Sequence, residues 1–174
     1  MKNILNFFLI SMFTFSSSHM ALQAQPGNEE DTHFKRTNLL VSDLDKSLEI
    51  YRDILGFSIH KLSESSKDSY SYPVFNIPRN AKMRFCTLDS PDQIRTIALT
   101  EVKGVELPSL PDRPMMSASV IRVKNLPQVI EKIQLLGLQT TEPKVATGSD
   151  GGTFTEQAFV DFDGHLIVIY EFQK

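Results

Sequence analysis

Three of the four histidines, the one cysteine and one of the arginines are the side chains of this sequence singled out as able to do chemistry. A metal site or a catalytic dyad needs such groups to converge. His33 stands three residues before Arg36, an odd offset, so in a regular strand the two face opposite sides. His60 has no acidic neighbour in sequence, and His165 follows the turn Asp161-Phe162-Asp163-Gly164. Both are read as exposed imidazoles. Cys86 is the one cysteine, set among Phe85, Thr87 and Leu88. That setting predicts a buried thiol with no disulfide partner and nothing to lower its pKa. The loop Thr147-Gly148-Ser149-Asp150-Gly151-Gly152 could cover a pocket, but it lacks the spacing of a phosphate-binding P-loop. Arg36 is the sharpest candidate. A guanidinium in a concave apolar site can hold a carboxylate or phosphate through two parallel hydrogen bonds. It can equally form a structural ion pair, with Glu101 or Glu156 as partner, and both readings stand.

The elements that must position these groups occur twice. Thr37-Asn38-Leu39-Leu40-Val41-Ser42-Asp43-Leu44 leads through Leu48 and Tyr51 to Leu55-Gly56-Phe57. Ser119-Val120-Ile121-Arg122-Val123-Lys124-Asn125-Leu126 leads through Ile130 and Ile133 to Leu136-Gly137-Leu138. The offset is 82 residues at Val41/Val123 and Asp43/Asn125. Each copy predicts a strand, an Asp or Asn helix cap, an amphipathic helix and a glycine stop. In the first copy, strands are expected over 33–41, 57–62, 83–88 and 94–102, with residues 70–77 open between a strand and a helical turn. In the second they are expected over 116–123, 138–141, 153–161 and 165–172, with a helix over 126–136.

Length and charge bound the function. Lys2 and the apolar run Ile4–Phe15 predict a secretory signal over 1–24, too short to span a bilayer. Residues 25–32 are polar and breaker-rich, which predicts a disordered leader. The formal net charge is −3, and −4 once the positive charge of Lys2 is removed. An acidic chain without a basic run argues against nucleic-acid partners, and signal cleavage would leave no membrane anchor. The expected location is periplasmic or secreted.

With its two copies of strand, capped helix, Leu-Gly and further strands, closed by Asp161-Phe162-Asp163-Gly164, the chain resembles the vicinal oxygen chelate superfamily of glyoxalase, bleomycin-resistance and dioxygenase-like domains. The resemblance covers residues 33–173: a first module over 33–103, a linker over 104–114 and a second module over 115–173. It implies an α+β fold in which two βαβββ modules form a cleft from curved mixed sheets. In metal-dependent members four inward positions, two per module, hold the ion. Placed on those motifs, the positions here are Arg36, Ala98, Ala118 and Val168, none of which ligates a divalent cation. The resemblance therefore implies a cleft that works without metal or other cofactor. Its expected lining is Arg36, Asn38, Thr96, Thr100, Val120, Val168 and Tyr170, with Leu166 beside them. A small-molecule binding protein is the reading this favours. An enzyme of lyase, isomerase or dioxygenase type with a rearranged site, and a partner-binding protein with a collapsed cleft, stay open. So does the choice between a single chain and a homodimer.

Overall fold

The computed structural model of the chain describes residues 34–108, 115–148 and 151–173. The segments expected to be signal and leader, His33 and residues 109–114 of the expected linker lie outside the described residues. No helix among the described residues is long and apolar enough to cross a membrane.

The first module runs β1 (Thr37–Val41), α1 (Leu44–Leu48), β2 (Ser58–Glu64), α2 (Ser71–Val74), β3 (Lys82–Asp89) and β4 (Ile97–Lys103). The second runs β5 (Ser119–Arg122), α3 (Leu126–Leu135), β6 (Lys144–Thr147), β7 (Thr153–Val160) and β8 (Leu166–Phe172). Each module folds one four-stranded sheet, in the orders β1-β4-β3-β2 and β5-β8-β7-β6. In both, the first strand pairs in parallel with the last and the remaining pairs are antiparallel. The repeat in the sequence is thus a repeat in topology.

Helix starts are built alike in the two modules. The first turn of a helix has amide N–H groups with no intrahelical acceptor. In α1 the Asp43 carboxylate accepts from the N–H of Asp45 and Lys46, and the Leu44 N–H goes to Glu101 Oε1 at 2.9 Å. In α3 the Asn125 side chain accepts from Gln128 N–H, and the Leu126 N–H goes to Glu171 Oε2 at 3.0 Å. Pro127 has no N–H to satisfy. Each module therefore bends a glutamate from its last strand onto its helix start.

Past Leu48 the first helix loosens into a π-helical stretch, Glu49–Ile54, which the expectation of a plain amphipathic helix does not announce. The wider turn points Ile50 and Tyr51 inward together, both fully buried. The segment stops at Gly56, whose φ of 81° is open to glycine at little cost.

Several expected bounds shift. β4 begins at Ile97 rather than 94, because residues 89–96 form a turn tied by Asp89 and Ser90. Residues 70–77 resolve into the short helix α2. The strand expected over 138–141 is reduced to one bridge, Thr140 with Phe159, and the pairing is made instead by β6, which the sequence did not announce. Lys144-Val145-Ala146-Thr147 is mostly exposed, so it carries little of the apolar alternation that marks a half-buried strand.

The helix-bearing faces of both sheets share one core. Leu39, Val41, Leu88 and Leu99 from the first sheet, Phe159, Ile167 and Ile169 from the second, and Leu48, Tyr51, Ile130 and Ile133 from the helices form one cluster. A second, smaller cluster places Tyr72, Ile77 and Ala81 against Met83 and Val102, with Leu40 at its edge. The segment around α2 thereby covers one end of the first sheet's helix-free face.

Among the described residues three side-chain hydrogen bonds fasten the modules to each other, and all involve the turn between β7 and β8. Asp163 Oδ1 accepts from Ser42 N–H at 2.8 Å, and Tyr51 donates its phenolic O–H to Asp161 Oδ2 at 2.8 Å. His165 Nε2 donates to the Leu40 carbonyl at 2.8 Å. His165 is therefore half-buried and engaged, not the exposed imidazole expected.

Candidate functional site

Strand alternation decides which side chains can share a site. In the first sheet Leu39, Leu99 and Cys86 form one cross-strand row, and Val41, Glu101 and Arg84 another; both face the helix. The alternate rows, Asn38-Ala98-Thr87 and Leu40-Thr100-Phe85, lie on the helix-free face. Arg36, two residues before Asn38, belongs to that face, since its guanidinium carbon sits 5.5 Å from the centroid of the Phe85 ring. Of the four first-module residues expected to line a pocket, the structure brings Arg36, Asn38 and Thr100 together. Thr96 is taken up by the turn before β4: its hydroxyl meets the Gln93 carbonyl at 2.7 Å and Ser90 Oγ at 3.1 Å. The register argument started the strand three residues too early, at 94 rather than Ile97.

The polar bookkeeping of this face is incomplete. Thr100 Oγ1 donates to Asn38 Oδ1 at 3.1 Å. The Asn38 amide nitrogen is buried and has no hydrogen-bond partner among the described residues. A buried donor without an acceptor costs on the order of 1–3 kcal/mol. Arg36 is half-buried, and neither of the ion pairs considered for it forms among the described residues. Glu101 is committed elsewhere. It is 3% exposed and takes two hydrogen bonds from Arg84, at 2.6 and 2.8 Å. The Arg84 guanidinium beside it, helped by the Leu44 N–H, holds the Glu101 carboxyl down at about 2. Glu156 lies in the second sheet, in register with Tyr170 and Lys144.

In the second sheet Val120, Val168 and Ala158 make one row, and Arg122, Tyr170 and Glu156 the next, on the face away from α3. Val120, Val168 and Tyr170 thus share a face as expected, and that face is open: Val120 is 65% exposed. Tyr170 packs edge-on against Phe154 and Phe172, with ring centroids 5.9 and 5.6 Å away. A groove of about 450 Å³ opens at the other end of this face, lined by Met115, Thr141, Ala158, Val160 and Leu166 among others. Leu166 is the residue that this groove shares with the expected wall. Met115 and Thr141 were not among the expected lining: Met115 precedes the first strand of the second module, and Thr141, at the end of the strand expected over 138–141, lies in no strand of the structure.

The positions at which the resemblance implies ion ligands, Arg36, Ala98, Ala118 and Val168, carry a guanidinium, two methyls and an isopropyl group. That donor set does not fit a divalent cation. Among the described residues no three His, Cys, Asp or Glu side chains converge. His60 is exposed as expected, and antiparallel pairing gives it an acidic partner that is distant in sequence, Asp89, at 3.1 Å from its Nδ1. Cys86 is fully buried, and burial pushes its thiol up rather than down. Neither residue shows the features of a reactive centre.

Comparison with known proteins agrees with this architecture. The family model of the Glyoxalase/Bleomycin resistance protein/Dioxygenase superfamily matches residues 33–169. Among solved structures, a glyoxalase family protein from Bacillus cereus is 13% identical with a TM-score of 0.63, covering 84% of this chain and 99% of that one. A glyoxylase/bleomycin resistance protein/dioxygenase domain from Frankia sp. is 20% identical with a TM-score of 0.56, covering 82% and 93%. A fosfomycin resistance protein from Listeria monocytogenes, solved with Mn(II) and sulfate, is 14% identical with a TM-score of 0.52, covering 81% and 93%. At these identities the likeness is one of fold. No curated protein matches the chain.

Proposed function

The chain belongs to the Glyoxalase/Bleomycin resistance protein/Dioxygenase superfamily, and from that premise we propose that it binds a small organic ligand on the helix-free face of its first module without a resident metal. The observation that carries the reading is Arg36. A permanent cation occupies a position where metal-dependent relatives place a ligand, and among the described residues it rests on the Phe85 ring rather than on a carboxylate. On the same sheet face Asn38, Ala98, Thr100 and Thr87 combine apolar groups with a few directed polar ones, the composition typical of small-molecule sites; Ala98, Thr100 and Thr87 are buried. The apolar run behind Lys2 supports export to the periplasm or medium, and the acidic balance of the chain speaks against nucleic acid. The protein works in this reading as a single chain or a homodimer.

Elemental analysis for Ni, Zn, Fe, Mn and Co, with thermal unfolding in the presence and absence of EDTA, tests the metal-free state. No stoichiometric metal and no shift with EDTA are expected. Near-stoichiometric metal together with a lower melting temperature in EDTA overturns it. A panel of small molecules is expected to contain a stabiliser whose effect is lost in Arg36→Ala. A ligand at about 100 times its Kd stabilises by about 2.7 kcal/mol, an effect of several degrees in melting temperature.

A further inference from the structure

We propose that the second module carries a binding site for an alkylguanidinium group, in the groove between α3 and strands β7 and β8, with the Glu171 carboxylate as its anion. The first module is the template, because it fills the equivalent place with its own Arg84. The site lies on the helix-bearing side of the second sheet and shares no residue with the face proposed above.

The repeat fixes which residues are equivalent. Glu101 and Glu171 come from the last strand of each module, and each accepts the first N–H of its helix, from Leu44 and Leu126. On the neighbouring strand Glu101 stands in register with Arg84, and Glu171 with Thr155. Two residues further along the last strand, Lys103 corresponds to Gln173. Both cations of the first module are thus replaced by neutral groups in the second. Arg84 makes two hydrogen bonds to Glu101, at 2.6 and 2.8 Å, and Lys103 Nζ lies 3.6 Å from the same carboxylate. Glu171 is half-buried and forms no ion pair among the described residues. The Gln173 amide donates instead to the Thr155 hydroxyl, at 3.1 Å.

A groove of about 380 Å³ is lined by Glu171 and Thr155 together with Glu131, Pro127, Ile130 and Pro143. Its chemistry matches an alkyl chain that ends in a planar cation. A carboxylate takes a guanidinium through parallel N–H bonds, as Glu101 takes Arg84, while it still accepts a helix N–H. Pro127, Ile130 and Pro143 offer apolar surface to the chain. Glu131, exposed on α3, adds a second negative charge that solvent partly screens. The guanidinium can come from a free small molecule or from an arginine side chain of a polypeptide, and the groove asks for the same group in both cases.

The test titrates the purified protein with butylguanidinium, its neutral isostere butylurea, and butylammonium, followed by the backbone amide resonances. Butylguanidinium should bind at millimolar concentration and move the amides of Leu126, which Glu171 holds, and of Thr155. Butylurea should bind at least tenfold more weakly, the scale of a charge-assisted hydrogen-bonded pair, and butylammonium severalfold more weakly because it lacks the fork. Glu171→Gln keeps an oxygen for the helix start and should weaken butylguanidinium at least tenfold. Thr155→Arg supplies from β7 the guanidinium that Arg84 supplies from β3, and it should abolish binding. In case neither variant folds, the order of the three probes and the position of the moving amides in the unsubstituted protein decide. Agmatine against N-acetylarginine methylamide separates the two sources: tighter agmatine assigns a free guanidino compound, tighter blocked arginine a polypeptide side chain, and both support the site. No binding of butylguanidinium, equal affinity for butylurea or butylammonium, binding that survives Glu171→Gln or Thr155→Arg, or movement confined to amides away from the groove overturns the proposal.

Discussion

The Glu101–Arg84 pair shows how one buried carboxylate can carry several duties. It sits against Val41 on the core side of the first sheet, accepts the first amide of α1 and binds Arg84 through both oxygens. Its pKa falls from 4.5 to about 2, mainly because of the Arg84 hydrogen bonds. A carboxyl depressed in the folded state binds fewer protons folded than unfolded. Its stabilisation is therefore complete above pH 4.5 and is lost as the pH falls from there through about 2. Arg84→Met should cost about 2 kcal/mol at neutral pH, below the range for breaking a fully buried pair because Arg84 is partly exposed. The parent–variant gap, measured by urea unfolding across pH 2 to 7, should shrink on the acid side. A gap that stays constant down to the lowest pH would mean that the charge of Glu101 is not what Arg84 supports.

At the level of elements, the two helix stops test whether the glycines are chosen for conformation or for space. Gly56 has φ +81° and nothing within 4 Å of where a Cβ would stand, and Gly137 is the same at φ +79°. Substitution there meets no neighbour, so the cost is backbone strain alone. Gly56→Ala should lose about 1 kcal/mol in chemical denaturation, and Gly56→Asn less, because asparagine tolerates the left-handed region. Equal losses for the two variants would point to a packing cause instead.

For the whole molecule, the shared core predicts that the modules unfold together. Ile133, on α3, is fully buried in the same cluster as Leu44, Val41 and Leu99 of the first module. Ile133→Ala should cost about 2–5 kcal/mol. The loss should appear equally in hydrogen exchange of β4 and β8, with a single calorimetric transition. Protection lost in β8 alone would show that the second module can open by itself. The Tyr51–Asp161 bond belongs to the same scale. Burial and the adjacent Asp161 carboxylate raise the phenol well above its ordinary range, so it remains a donor across the pH range in which the fold persists.

What the sequence determined was what local physics fixes. The duplication, the Asp43 and Asn125 caps, the glycine stops and the alternation of the central strands depend on neighbours a few residues away, and period and residue type betray them. The face shared by Arg36, Asn38 and Thr100, and that shared by Val120, Val168 and Tyr170, followed from the same alternation. Tertiary structure decided what depends on partners far apart in the chain. It gave Glu101 to Arg84 rather than Arg36, set Asp89 beside His60, drew His165 onto the Leu40 carbonyl, and moved the last pairing strand to residues 144–147. Charge and hydrogen-bond partners are chosen by cross-strand register and by the packing of one module on the other, and neither leaves a periodic mark. The unpaired amide of Asn38 is the plainest case, because a missing partner can be seen only after every other partner has been placed.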